Sequence, residues 1–279
     1  MMPPILNPIR TIELVAWDFD EYKSRPESFD RERPTKAREL VVRRRLDHSS
    51  SALCEEETQR LRNTLNRQQS RLDLHAEMMG LDWSLGVVDL RRLLAFQRRL
   101  SFNARLPAIT VPPQCDWDRL IEIAFASPNP VTCDVVHDAD KKMVILQSSN
   151  PNMRLRVTQD PAAPIAVHAG SPFFEVAQYA GRWFLRDGYH RAYKLLRAGV
   201  FRIPAVIVHA RTLEELGAVP PQFFSEAVLL SEHPPFVSDF LNDALVIEYE
   251  RYPIIKTLRI TLEESITFPL PIEISGEQT

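Results

Sequence analysis

At 279 residues, 44% hydrophobic and 25% charged, the chain has the composition of a soluble globular protein long enough to bury a full core. No apolar run approaches the roughly 18 residues that span a bilayer, and the opening MMPPILNPIRTIE lacks the basic start and apolar stretch of a secretory leader. Three scattered cysteines, Cys54, Cys115 and Cys133, with no C-x-x-C spacing, fit a reduced cytoplasmic chain better than a disulfide scaffold and are expected to be unlinked.

Charge is uneven along the chain. Residues 211–279 carry four basic against twelve acidic side chains, a net of −8, which leaves 30 basic against 25 acidic in residues 1–210. An acidic C-terminal part repels a DNA backbone, so tight duplex binding is not expected. Proline outnumbers glycine 22 to 8, which makes each glycine informative about the backbone.

In chain order, residues 11–17 alternate like a short strand. Arg31, Arg33, Lys36, Arg38, Arg43, Arg44 and Arg45 then form a charge-dense stretch. A solvated helix face over a buried stripe of Ala37, Leu40 and Val41 is favoured over a nucleic-acid arm. Glu55, Glu56 and Glu57 suit a first helical turn, and Leu61, Leu65, Leu72 and Met79 continue an apolar stripe to Gly80. This predicts one long helix over 51–80, of about seven turns, packing across the fold or pairing with a second copy of the chain. Asp89 is a candidate N-cap for a helix over 90–100, with Arg91, Arg92, Arg98, Arg99 and Arg105 as charged positions. Asp116 caps a helix to 126, closed by Pro128 and Pro130.

A hairpin over 131–137 and 142–147 turns at 138–140, and two short strands come next at 154–158 and 165–167. His137, Asp138, Asp140 and His168 match no metal-ligand spacing, and a polar hairpin turn accounts for the first three. A second hairpin joins 173–179 to 182–185 through Ala180-Gly181.

The organising stretch is 183–208: a strand, the turn Asp187-Gly188, an amphipathic helix stopped by Gly199, and a second strand over 203–208. Ala192, Leu195, Leu196 and Gly199 share one helical face, as a core stripe does. Arg191 and Lys194 share another face beside the turn, so truncating Arg191 should open no core cavity. A helix N-terminus bearing unpaired N–H groups is a ready seat for a phosphate.

Gly188-Tyr189-His190-Arg191 resembles the Gly-Cys-His-Arg signature of sulfiredoxins and the Gly-Glu-Arg-Arg box of ParB proteins, which share one fold. The spacing from Gly188 to Gly199 is similar to that of the ParB box and its helix. The resemblance implies an α+β domain of ParB/sulfiredoxin-like type over 81–210, flanked by an N-terminal extension (1–80) and an acidic C-terminal extension (211–279). It implies a nucleotide, ATP or another NTP, as ligand. Gly188, His190 and Arg191 would form the phosphate seat, helped by Lys194 one turn on.

The departures from the family pattern are equally specific. Tyr189 stands where sulfiredoxin has its reactive cysteine, which excludes reduction of cysteine sulfinic acid. In ParB the same position is a glutamate that helps hold magnesium, and Tyr193 replaces a second arginine of the box. Asp187 is the candidate substitute ligand for a nucleotide-bound Mg2+, ordinary turn formation being its other explanation. Glu175 is a candidate general base for phosphate hydrolysis or transfer, an outward strand residue being the alternative.

Beyond the domain, 213–217 and 222–230 look helical, and 245–249 with 256–262 looks like a C-terminal hairpin. No basic helix-turn-helix segment is present there. Three functions are therefore weighed: a nucleotide-binding phosphohydrolase or phosphotransferase, a non-catalytic binding module on the same fold, and, least favoured, a DNA-binding or nuclease member.

Overall fold

Residues 203–208 carry no polar side chain, and an unbroken run of that kind is what a strand buried on both faces requires. The structure, a computed structural model, describes residues 7–17, 32–44, 50–102, 110–113, 116–127, 131–150, 153–157, 165–218, 223–261 and 263–266. In chain order these form β1 (Ile9–Leu14), α1 (Arg33–Arg43), α2 (Glu55–Arg60), α3 (Arg62–Gln69), α4 (Leu72–Glu77), β2 (Trp83–Asp89), β3 (Leu94–Ala95) and β4 (Arg99–Phe102). Next come α5 (Trp117–Ala124), β5 (Asp134–Asp138), β6 (Met143–Ser148), β7 (Met153–Val157), β8 (Ile165–Ala169), β9 (Glu175–Tyr179), β10 (Arg182–Asp187) and α6 (Tyr189–Arg197). The last are β11 (Arg202–His209), α7 (Leu213–Leu216), α8 (Glu226–Leu229), β12 (Val246–Arg251) and β13 (Lys256–Thr261). The fold is thus mixed α+β, as expected. No helix among the described residues is long and apolar enough to cross a membrane.

The central sheet runs β2-β11-β9-β10-β3. β11 lies antiparallel to β2 and parallel to β9, and β10 lies antiparallel to β9 and parallel to β3. Pro204 fits inside β11 because its ladder partner Val87 turns its own N–H and C=O elsewhere, to Thr58 Oγ1 (2.9 Å) and the Cys54 amide (2.8 Å). The missing donor therefore leaves no ladder bond unmade. Ala180 (φ 48°) and Gly181 (φ 74°) close the β9–β10 hairpin with two successive left-handed residues, the geometry that matches the strands' own twist.

A second sheet, β12-β1-β4, places the N-terminal strand between a strand from the C-terminal section and one from the middle of the chain. The segment from 223 onward also closes the free side of β3. Val237 N–H bonds Leu93 O (2.9 Å), Ala95 N–H bonds Pro235 O (2.8 Å) and Phe224 N–H bonds Phe96 O (2.9 Å). Phe173, Phe174, Phe184, Phe224 and Phe240 are wholly buried around this core. Each contributes on the order of 2–3 kcal/mol of burial. Two further sheets, β13-β6-β5 and β7-β8, are built mainly by pairing among themselves.

Several local expectations change. The single helix over 51–80 is three helices, interrupted at Leu61 and again at Arg71, whose backbone is extended (ψ 127°). Arg71 is fixed there: its guanidinium bonds Phe125 O (2.6 Å) and Ala126 O (3.3 Å) and pairs with Asp73 (2.7 Å). Asp89 does cap, accepting the Arg91 amide at 3.0 Å, but it opens only a single 3-10 turn, Leu90–Arg92. Leu90, Leu93, Leu94, Ala95, Phe96 and Leu100 are all buried and would point around the whole circumference of a helix. Extended chain, with β3 in one sheet and β4 in another, buries them instead.

The expected C-terminal hairpin is also replaced. β12 pairs with β1 and β13 with β6. β12 has Val246, Ile247 and Tyr249 to bury against the core, whereas β13 has no fully buried residue and joins a peripheral hairpin.

α1 buries Ala37 and Val41 as expected, but Pro34 rather than Leu40 completes the stripe. Cys54 and Cys133 are free thiols. Arg31, Arg45, Arg105, Cys115, Pro128 and Pro130 lie outside the described residues.

Candidate functional site

The turn between β10 and α6 is built by three local devices. The pairing of β9 with β10 shifts between Leu185↔Val176 and Asp187↔Glu175, so Arg186 is an extra residue bulged out of the ladder. Gly188 then takes φ 103°, which a side chain resists. A Cβ on Gly188 would lie 2.7 Å from Phe174 Cδ2 and 3.3 Å from Arg191 Nε, so the ring fills the space beside the turn. α6 starts immediately, with Ala192 N–H bonding Gly188 O at 2.8 Å. Its inner face is Ala192, Leu195 and Leu196, as the spacing requires, widened by Tyr189 and Tyr193.

Arg191 occupies a different place from the one expected. Its side chain is only 14% exposed. Nη1 donates to Ile123 O (3.0 Å) and Pro172 O (2.7 Å), and Nη2 donates to Phe173 O (2.6 Å). The guanidinium carbon stands 5.6 Å from the centroid of the Phe174 ring, and Asp187 Oδ1 lies 3.7 Å away. Three of the five guanidinium donors thus satisfy backbone carbonyls of the loop before β9 and of α5. The expectation that truncating Arg191 opens no cavity gives way to an interior cation holding three segments together. Helical spacing alone places a side chain on a face; it does not say what loop covers that face.

His190 points away from the turn. Its Nε2 lies 3.0 Å from Ser101 O, and its ring meets Phe102 edge-on at 5.4 Å between centroids. Burial pushes the imidazole pKa down, partly opposed by the bond to the Ser101 carbonyl. Tyr189 sends its hydroxyl inward to accept the amides of Phe96 (3.0 Å) and Gln97 (3.3 Å). Lys194 is half-buried.

Glu175 is 1% exposed and ion-paired with Arg186, whose Nε also donates to Glu215 O at 3.1 Å. Burial raises the Glu175 pKa, and the nearby Arg186 charge works against that rise. Asp187 Oδ2 accepts the Ser171 amide at 3.3 Å.

The structure therefore gathers Glu175, Arg186, Asp187 and Arg191 around the glycine turn as alternating charges, and turns the His190 ring towards Ser101 and Phe102. Arg186, Ser171 and Pro172 were not legible as partners. A β-bulge leaves no sequence pattern, and the loop carbonyls that Arg191 uses carry no side-chain identity.

Asp187 Oδ1 stands 3.7 Å from the buried Arg191 guanidinium, so a cation placed on it would face a fixed positive charge. At the 138–140 turn, Asp138 accepts the Lys141 amide (3.2 Å) and pairs with its ammonium (3.2 Å), as a hairpin turn requires.

Comparison of the chain with protein-family models, with curated proteins and with solved structures returns no match.

Proposed function

We propose that the chain is a non-catalytic binding module of ParB/sulfiredoxin-like type, in which the residues of the former phosphate seat act as internal fasteners. The observation that carries this reading is Arg191: its guanidinium is engaged with the carbonyls of Ile123, Pro172 and Phe173. A phosphate contact would have to break charge-assisted bonds that already satisfy those carbonyls. Glu175 is likewise turned inward: it is 1% exposed, and one carboxylate oxygen is ion-paired with Arg186. The order of hairpin, glycine turn, helix and strand supports the kinship in shape.

A second reading, nucleotide binding with or without phosphate transfer, draws on one observation. The first-turn amides of Tyr189, His190 and Arg191 have no acceptor among the described residues. One screen separates the two: thermal shift of the full chain against ATP, CTP and GTP, each with and without Mg2+. A ligand at a hundred times its dissociation constant stabilises by about 2.7 kcal/mol. The expected outcome is no nucleotide-dependent shift, and a reproducible shift with any of the three restores the second reading.

Duplex DNA is not the proposed partner. Arg33 donates to Asp243 O (2.6 Å), Arg38 to Ala16 O (3.3 Å) and Arg44 forks onto Asp239 (2.5 and 3.0 Å), so these bases of α1 and its end serve the fold. A second copy of the chain remains a proposed partner, tested by sedimentation at several concentrations.

A further inference from the structure

We draw no further inference here: the strongest candidate, the exposed apolar surface of the two peripheral sheets and the chain leading into them (Val135, Val136, Leu155, Ile165, Tyr252 and Ile255), shows side chains left in solvent, and nothing in the structure shows what covers them.

Discussion

The central sheet and the peripheral sheet β13-β6-β5 use similar strand residues and solve different problems with them. In β11, Ile203, Val206, Ile207 and Val208 are all buried, and the irregular segments around the sheet are tied down by arginines. Arg191 bonds three loop carbonyls, and Arg182 bonds the carbonyls of Leu229 (2.9 Å), Leu230 (2.8 Å) and Ser231 (2.7 Å) at the end of α8. Arg44 reaches Pro234 O (3.0 Å). In β5, by contrast, adjacent Val135 and Val136 point to opposite faces and are 64% and 42% exposed. The difference lies in donors. A chain with 22 prolines lacks that many backbone N–H groups, so carbonyls in irregular segments outnumber the amides that could satisfy them. Arginine, with five donors on one flat group, fills that deficit where the backbone is buried. On β5 the exposed strand faces are open to solvent.

The largest expected effect comes from removing one such clasp. Arg191→Ala leaves three carbonyls without donors in a space water does not readily reach, and leaves Asp187 without its nearby cation. A loss of about 3–5 kcal/mol is expected from urea unfolding monitored by tryptophan fluorescence. Arg191→Lys should retain the charge but not the fork, and fall between variant and wild type. Low, sub-denaturing guanidinium should partly restore Arg191→Ala, and sodium chloride at the same ionic strength should not. A variant as stable as wild type would show that the carbonyls find other donors.

Next comes the turn itself, where two glycines make a controlled pair. Gly188→Ala combines a left-handed backbone with a Cβ 2.7 Å from the Phe174 ring, whereas Gly181→Ala has positive φ and nothing within 4 Å. The expected losses are about 2–4 kcal/mol at Gly188 and about 1 kcal/mol at Gly181. Equal losses would mean that Phe174 yields without cost.

The reach of the sequence divides along the same line, local against distant. Gly188, Gly199, the Asp116 cap and both hairpins were legible because each depends on a few neighbouring residues. The apolar stripe of α6 was legible because 3.6-residue periodicity is local. What failed was non-local. Residues 90–100 have apolar spacing that a helix could also use, and only the two sheets waiting for β3 and β4 decide against it. β12 and β13 are neighbours in sequence but find partners 232 or more and 108 or more positions away. At the site, the chemistry around Arg191 depends on carbonyls of residues 123, 172 and 173. Such acceptors exist at every position, so no residue type announces them.

A smaller effect concerns pH. His190 is held neutral in the folded protein because burial depresses its pKa, while the unfolded chain takes up a proton near the ordinary value of about 6.5. Below that pH the unfolded state binds more protons, so this histidine makes stability fall as pH drops, down to the depressed folded value. The slope from one group is at most about 1.4 kcal/mol per pH unit. His190→Gln keeps a donor for Ser101 O and has no proton to gain, so its stability should decline less between pH 7 and 5 than that of wild type. The other histidines contribute to both proteins and cancel in the difference. Identical pH profiles would mean that His190 is solvated in the folded state.

The most direct test of the contrast places one substitution in both regions, and its expected effect in the peripheral one is the smallest of all. Valine and threonine have nearly the same shape, so Val→Thr changes polarity with little change in volume. At Val206, wholly buried in β11, the new hydroxyl has to be removed from water, which costs about 1–3 kcal/mol unless a backbone carbonyl accepts it. At Val136, 42% exposed on β5, the hydroxyl can stay hydrated, and the expected change is within about half a kcal/mol. Threonine also suits a strand, so no backbone penalty offsets the result. Denaturation midpoints at low protein concentration, read side by side, give the comparison. If Val136→Thr proves as costly as Val206→Thr, the β5 surface is covered in solution, and repeating the measurement over a range of protein concentrations tells whether a second copy of the chain covers it.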